Sequence, residues 1–167
     1  MALIDGMLQE LEQEAQSTRR LLERVPDDKL GWRPHEKART LGELAMHIAI
    51  VPGAVAEMIA SPSPAQAPQF SADPSPKSVS ELIPTLEESI AKAKKALGGL
   101  DDAAVTATWR MMHGERELFA IPRVALLRSI MLNHWYHHRG QLTVYLRELG
   151  VALPPIYGPT ADENPFA

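Results

Sequence analysis

The 167-residue chain contains no cysteine. Disulfides are excluded, and so is any thiolate, whether as nucleophile or as metal ligand. A metal site here must be built from imidazole, carboxylate or carbonyl groups. An excess of basic charge is also missing. Seventeen Lys and Arg against 21 Asp and Glu leave a net charge of −4 and a pI of about 5.9, without the basic face that nucleic-acid binding requires. No apolar run approaches the roughly 18 residues of a membrane span, so no membrane partner is expected. The start, MALIDGMLQELEQEAQ, is acidic and amphipathic rather than a secretory signal, and a cytoplasmic location is the expectation. G-x-S-x-G, Walker and dinucleotide fingerprints are absent, and there is no internal repeat.

What is present is helical periodicity. At 45% hydrophobic and 23% charged residues the chain reads as one globular domain over 1–167. Ile4, Leu8, Leu11, Ala15, Thr18, Leu22 and Val25 alternate by four and three, predicting a first helix that ends near Pro26. Thr40 and Glu43 form a capping box. They precede a second helix with Leu41, Leu44, Ala45, Ile48, Val51, Val55 and Met58 apolar. Pro52 falls inside it and cannot donate to the Ile48 carbonyl. Residues 61–77 hold five prolines and read as a long, stiffened connection. Val79 to Leu100 gives a third helix, with Pro84 in its first turns and Gly98-Gly99 at its end. The stretch 106–121, with His113-Gly114 at its centre, reads as a short hairpin or a loop. Pro122 opens the last long helix, with Leu126, Leu127, Ile130, Met131, His134, His138, Leu142, Tyr145 and Leu149 on its inward side. The fold class expected is all-α: a four-helix bundle with a long Pro-rich second connection.

Six histidines carry the chemistry. His134 and His138 stand four apart and share one helical face. On a wheel of 100° per residue, with His134 at zero, His138 lies at about 40° and Gln141 at 340°. Tyr145 and Leu127 lie at about 20° and Met131 at 60°. The pair therefore sits inside the apolar stripe, where imidazoles need polar partners. Either a metal ion or carbonyls and water would supply them. His47 lies on the inward flank of the second helix, and three imidazoles from two helices would make an open divalent-metal site. His137, at about 300°, and the neighbouring Gln141 and Tyr145 are candidates for flanking or pocket roles. Arg139, at about 140°, reads as a solvent or dimer-interface residue. His35 and His113 fall in loops and read as surface residues. Trp135 stands where the HExxH motif of zinc proteases has its glutamate, so no general base is supplied beside the pair. Tyr157, Asp162 and Glu163 in the Pro-rich tail either close over the site or strap the bundle.

The segment NHWYHHRGQLTVYLRELGVALPPIYGPTADE resembles the DinB-like family of bacterial four-helix-bundle metalloproteins. His134, His138, Arg139, Gly140 and Gln141 match its H-x-x-H-H-R-G-Q pattern, LGELAMHIA places His47 at the family's second-helix ligand, and Trp32-Arg33-Pro34 also fits. The resemblance implies an up-up-down-down bundle and a metal held by His47, His134 and His138. The ion would be zinc or nickel, with iron or manganese as further candidates. It also implies a homodimer and, by similarity to members with activity, a transferase or isomerase. Such enzymes use a low-molecular-weight thiol such as mycothiol, bacillithiol or glutathione with a small-molecule substrate. A metal-bound thiol is deprotonated by the ion's charge, which requires no protein cysteine. Two alternatives stand beside it: a metal-water hydrolase, and a non-enzymatic, stress-linked metal-binding or interaction protein.

Overall fold

The computed structural model describes residues 2–69 and 74–166. Helix α1 (Leu3–Leu22) buries Ile4, Met7, Leu11, Thr18, Leu21 and Leu22, a spacing of three and four along one face. Its first turn is tied down from a distance, since the Leu3 amide donates to Asp102 Oδ1 at 2.7 Å. Helix α2 (Leu41–Ala60) starts at the predicted capping box. Glu43 N donates to Thr40 Oγ1 at 3.2 Å and Thr40 N to Glu43 Oε2 at 2.7 Å. This is the central helix, apolar almost all round because α3 and the last helix both pack on it. By length and composition alone it could cross a membrane, contrary to the expectation that no segment comes near that threshold. A little over half of it lies buried inside the protein, which is how a core helix comes to pass the same test.

Helix α3 (Leu82–Leu97) follows a 3₁₀ turn at Val79–Glu81. Pro84 sits in its first turn, where a missing N–H costs nothing, and Gly98 ends it. A short helix α4 (Asp102–Thr106) is capped by the Asp101 carboxylate, which accepts from Ala104 N at 2.7 Å. Strands β2 (Thr108–His113) and β3 (Arg116–Pro122) then form an antiparallel hairpin. Gly114 enters its turn at φ 60°, a conformation that glycine adopts without strain. Strand β1 (Ala65–Gln66) pairs parallel to β2, giving the sheet order β1-β2-β3. The protein is therefore mostly helical with a small three-stranded sheet, not strictly all-α. Two-residue β1 lies in the Pro-rich connection and is too short to have any periodicity. Part of that connection, residues 70–73, lies outside the described residues.

The sheet seals the far end of α2. The fully buried Trp109 donates its indole N–H to the Ser61 carbonyl at 3.2 Å. Arg123 donates to the carbonyls of Ile59 at 2.9 Å and Ser61 at 3.2 Å. Carbonyls at the end of a helix have no partner of their own and favour a cation, and Arg123 answers both needs.

Residues 123–148 form the last helix in three parts: α5 (Arg123–Leu126), a π-helical segment (Leu127–Asn133) and α6 (His134–Glu148). The wider π turn departs from the roughly 100° per residue of a regular helix, yet Leu127 and Met131 keep their inward places at 0% exposure. Ile130, expected inward, is 40% exposed. Arg139 departs from expectation in the opposite sense, at only 2% exposure. The helix is covered on two sides, by α2 on one and by α1 and the tail on the other. Arg139 Nη2 reaches Glu14 Oε2 at 2.5 Å, and Nη1 donates to the Glu14 carbonyl and Thr18 Oγ1. Its guanidinium carbon lies 5.1 Å from the ring centres of both Tyr136 and Tyr157. Tyr157 accepts from Arg139 and donates to Glu14 Oε2 at 2.9 Å. Asp162 pairs with Arg147, and Glu163 with Arg24 at 2.6 Å. The tail is thus a strap across α6 and the α1 side of the bundle, its three residues bonding to Arg139 and Glu14, Arg147 and Arg24 rather than to the histidines.

Replacing Arg139 by Ala leaves the largely buried Glu14 carboxylate without its cation. We expect a loss of about 3 kcal/mol in unfolding free energy. Tyr157→Phe removes one hydroxyl from the same cluster and should cost about 1 kcal/mol. Urea unfolding at unchanged m-value checks both, and an Arg139→Ala loss no larger than that of Tyr157→Phe would contradict this account.

Candidate metal centre

The three predicted histidines meet. His47 comes from α2, and His134 and His138 are one turn apart on α6. The Nε2 atoms of His47 and His134 are 3.1 Å apart, as are those of His134 and His138. Donor atoms of all three lie within 4.8 Å of one another. The rings stand edge to face, with centroids 4.4 to 5.4 Å apart. His138 is 6% exposed, and the other two are half-buried.

The donor chemistry fits a cation. His138 Nδ1 lies 2.6 Å from Gln141 Oε1, an acceptor, so Nδ1 carries the proton and Nε2 presents a lone pair. His134 Nε2 then faces two neighbouring nitrogens, and one proton satisfies at most one of these approaches well. A metal ion satisfies all three. Two imidazole nitrogens bonded to one zinc at about 2.0–2.1 Å stand roughly 2.9–3.4 Å apart for angles between octahedral and tetrahedral, and 3.1 Å falls in that range. Gln141 is the outer partner that fixes ring and tautomer.

The helices are held in register beside the cluster. Trp135, fully buried, donates its indole N–H to the Ile48 carbonyl at 2.9 Å. From the other side Ser89 of α3 accepts from Gly53 N at 2.8 Å and donates to the Ile50 carbonyl at 2.9 Å. A Cβ on Gly53 would lie 2.7 Å from the Ser89 carbonyl oxygen, so only glycine allows this approach. Neither Trp135 nor Ser89 was expected to support the site. The Ile48 carbonyl, which Pro52 leaves without a donor, was the signal that a partner had to exist.

The other candidates separate. Gln141 touches the cluster directly. His137 is exposed, its ring edge-on to His138 with centroids 5.1 Å apart, and it stays outside the group of three. Tyr145 donates to the Arg39 carbonyl at 3.2 Å and meets Trp32 edge to face at 5.6 Å; it anchors the loop before α2. His35 and His113 are exposed, as expected.

Burial holds the His138 imidazole down at about 4. The charges of His47, His134 and Arg39 act in the same sense, and the hydrogen bond to Gln141 opposes them. At neutral pH it is a neutral, ready ligand.

Helices packed around a three-imidazole cluster define a class, the helical-bundle proteins with a candidate metal centre between two helices. The chain belongs to the DinB family, whose model matches residues 2–164. It is 29% identical over 164 residues to Bacillus subtilis (strain 168) YrdA, covering 96% of this chain and 91% of that protein. Among solved structures, a DinB-like protein of Bacillus cereus ATCC 10987 superposes with TM-score 0.73 at 25% identity, over 92% of this chain and 97% of the other. A DinB-like protein of Bacillus subtilis gives 0.67 at 21%, over 91% and 97%. A putative DinB family member from Exiguobacterium sibiricum 255-15 gives 0.65 at 21%, over 93% and 97%; these last two speak for the fold alone.

The lowered His138 pKa fixes a sign. The unfolded imidazole takes up a proton near 6.5 and the folded one near 4, so acid favours the unfolded chain between those values. Stability of the metal-free protein should be full above pH 6.5 and fall as pH drops towards 4. Melting temperatures from about pH 7 to about pH 4.5 check this, a range above that in which the paired carboxylates of Glu10 and Asp162 titrate. His138→Asn should flatten the slope, and an unchanged slope would refute the assignment.

Proposed function

We propose that this chain binds one divalent ion through His47, His134 and His138 and acts as a metal-dependent transferase using a low-molecular-weight thiol. Zinc or nickel is the first choice of ion, with iron and manganese as further candidates. The observation that carries the reading is the 3.1 Å approach of His134 Nε2 to both neighbouring Nε2 atoms, with His138 held as a lone-pair donor by Gln141.

Within the reading, the chain's own residues have distinct tasks. His47 and the pair on α6 supply neutral nitrogen from two helices, and Gln141 keeps His138 in its ligating tautomer. A bound ion would supply Lewis acidity, which would lower the pKa of a low-molecular-weight thiol. The complete absence of cysteine suits a nucleophile that arrives with the substrate. The Trp32–Tyr145 contact holds the loop that leads into α2. A cytoplasmic homodimer belongs to the same reading, since low-molecular-weight thiols are cytoplasmic and family members often pair. The hydrolytic alternative has less support. Trp135, at the place of the HExxH glutamate, is buried and engaged by the Ile48 carbonyl, so it offers no base to a bound water.

Two measurements test this. Replacing any one of the three histidines by Ala should lower bound metal well below one ion per chain, by elemental analysis after dialysis. Full occupancy in His47→Ala would refute the ligand set. Metal-loaded protein given a panel of thiols and chlorodinitrobenzene should turn over faster than His138→Ala. No excess with any thiol, together with a metal whose removal changes only the melting temperature, would favour the non-enzymatic role.

A further inference from the structure

Pro52 stands four residues after Ile48 in α2, and it has no N–H to give the Ile48 carbonyl. A buried carbonyl without a donor is costly. The donor comes from another helix, as the indole N–H of Trp135 at 2.9 Å. The positions joined are telling. Ile48 follows His47, and Trp135 follows His134. Two consecutive residues of α2 thus meet two consecutive residues of α6, through an indole–carbonyl hydrogen bond and a 3.1 Å imidazole contact.

We propose that Trp135 is a positioning residue for the histidine cluster, its indole N–H standing in for the backbone donor that Pro52 lacks and thereby fixing the register of α6 against α2. An ordinary helix would close the Ile48 carbonyl internally and leave the two helices free to slide by the play of side-chain packing. Here the proline opens one acceptor, and only one placement of α6 fills it. That placement brings His134 to His47. The hydrogen bond is directional, whereas apolar packing around it is not. A shift of α6 that separated the imidazoles would also strand a buried carbonyl.

The inference takes the metal reading as its setting, and a double-mutant cycle separates the two. Four full-length proteins are compared: wild type, Trp135→Phe, Pro52→Ala and the double variant. The Pro52→Ala change restores a backbone N–H that can reach the Ile48 carbonyl. Zinc affinity is read by chelator competition, and stability of the metal-free proteins by urea unfolding. Trp135→Phe should weaken zinc binding about tenfold when Pro52 is present. In the Pro52→Ala background the same change should cost less than about threefold, because no acceptor is left stranded. The cavity left by the smaller ring is common to both backgrounds and cancels in the cycle.

Equal losses of affinity in the two backgrounds would overturn the proposal, because a merely structural Trp135 is not rescued by a change at position 52. If wild type binds none of zinc, nickel, iron and manganese, the metal reading fails, and the unfolding cycle still judges the pairing: non-additive free energies support it and additive ones end it. Should Trp135→Phe not fold, benzothienylalanine at position 135 makes the comparison, with the indole's shape and sulfur in place of N–H. Unaltered zinc affinity and stability in that protein would equally overturn the proposal.

Discussion

A buried carbonyl must have a donor, and in this protein one carbonyl, that of Ile48, has been denied its own. Pro52 removes the intrahelical partner, and the indole of Trp135 replaces it from the last helix. Ser89 does related work from α3, bonding Gly53 N and the Ile50 carbonyl. The stretch 48–53 of α2 is therefore where three helices exchange directional bonds in an otherwise apolar interior. The cluster of imidazoles lies beside that junction. Shape complementarity tolerates small slips among Leu, Ile and Val, but a hydrogen bond of 2.9 Å in a buried interior tolerates few.

The last helix shows why its polar residues are not a defect of the core. Its composition is on balance polar, yet Trp135, His138, Arg139, Leu142 and Leu146 are all buried. The polar members find their partners on two sides. Trp135 and the ligating face of His138 turn to α2, and Arg139 turns to α1 and the tail. No buried side-chain nitrogen or oxygen among the described residues lacks a hydrogen-bond partner. The helix thus acts as a two-sided connector, held by two distinct sets of polar partners rather than by one apolar stripe.

Much of this was legible in the sequence, for reasons that also mark the limits. The capping box at Thr40 and Glu43 and the stripe of α1 are local signals, written at fixed spacings, and the chain folds accordingly. The convergence of His47 with His134 and His138 was legible because each lies on a stripe that has to face the core. Arg139 was misread because a wheel measures distance from one stripe only, and this helix has two covered faces. Ile130 was misread because the wheel assumed a regular turn through the π segment. Strand β1 left no trace, since two residues have no period. The partner of the Ile48 carbonyl was implied by Pro52, but no local rule says which distant donor answers it.

Adjacent residues His138 and Arg139 show how one helix serves two different surroundings. Both are almost fully buried, and burial disfavours charge on either. On the α1 side the Glu14 carboxylate lies 2.5 Å from the guanidinium, and two phenol rings flank it, so the buried charge is paired. On the α2 side His138 meets other imidazoles and the positive charge of Arg39, with a neutral amide at Nδ1, and the imidazole gives up its proton. A charged group fixes the helix to the tail and a neutral one offers a lone pair to an ion. Exchanging the two environments would place a stranded cation against the cluster and a weak ligand against a carboxylate. The one-residue offset between them, about 100° around α6, is what lets a single helix do both.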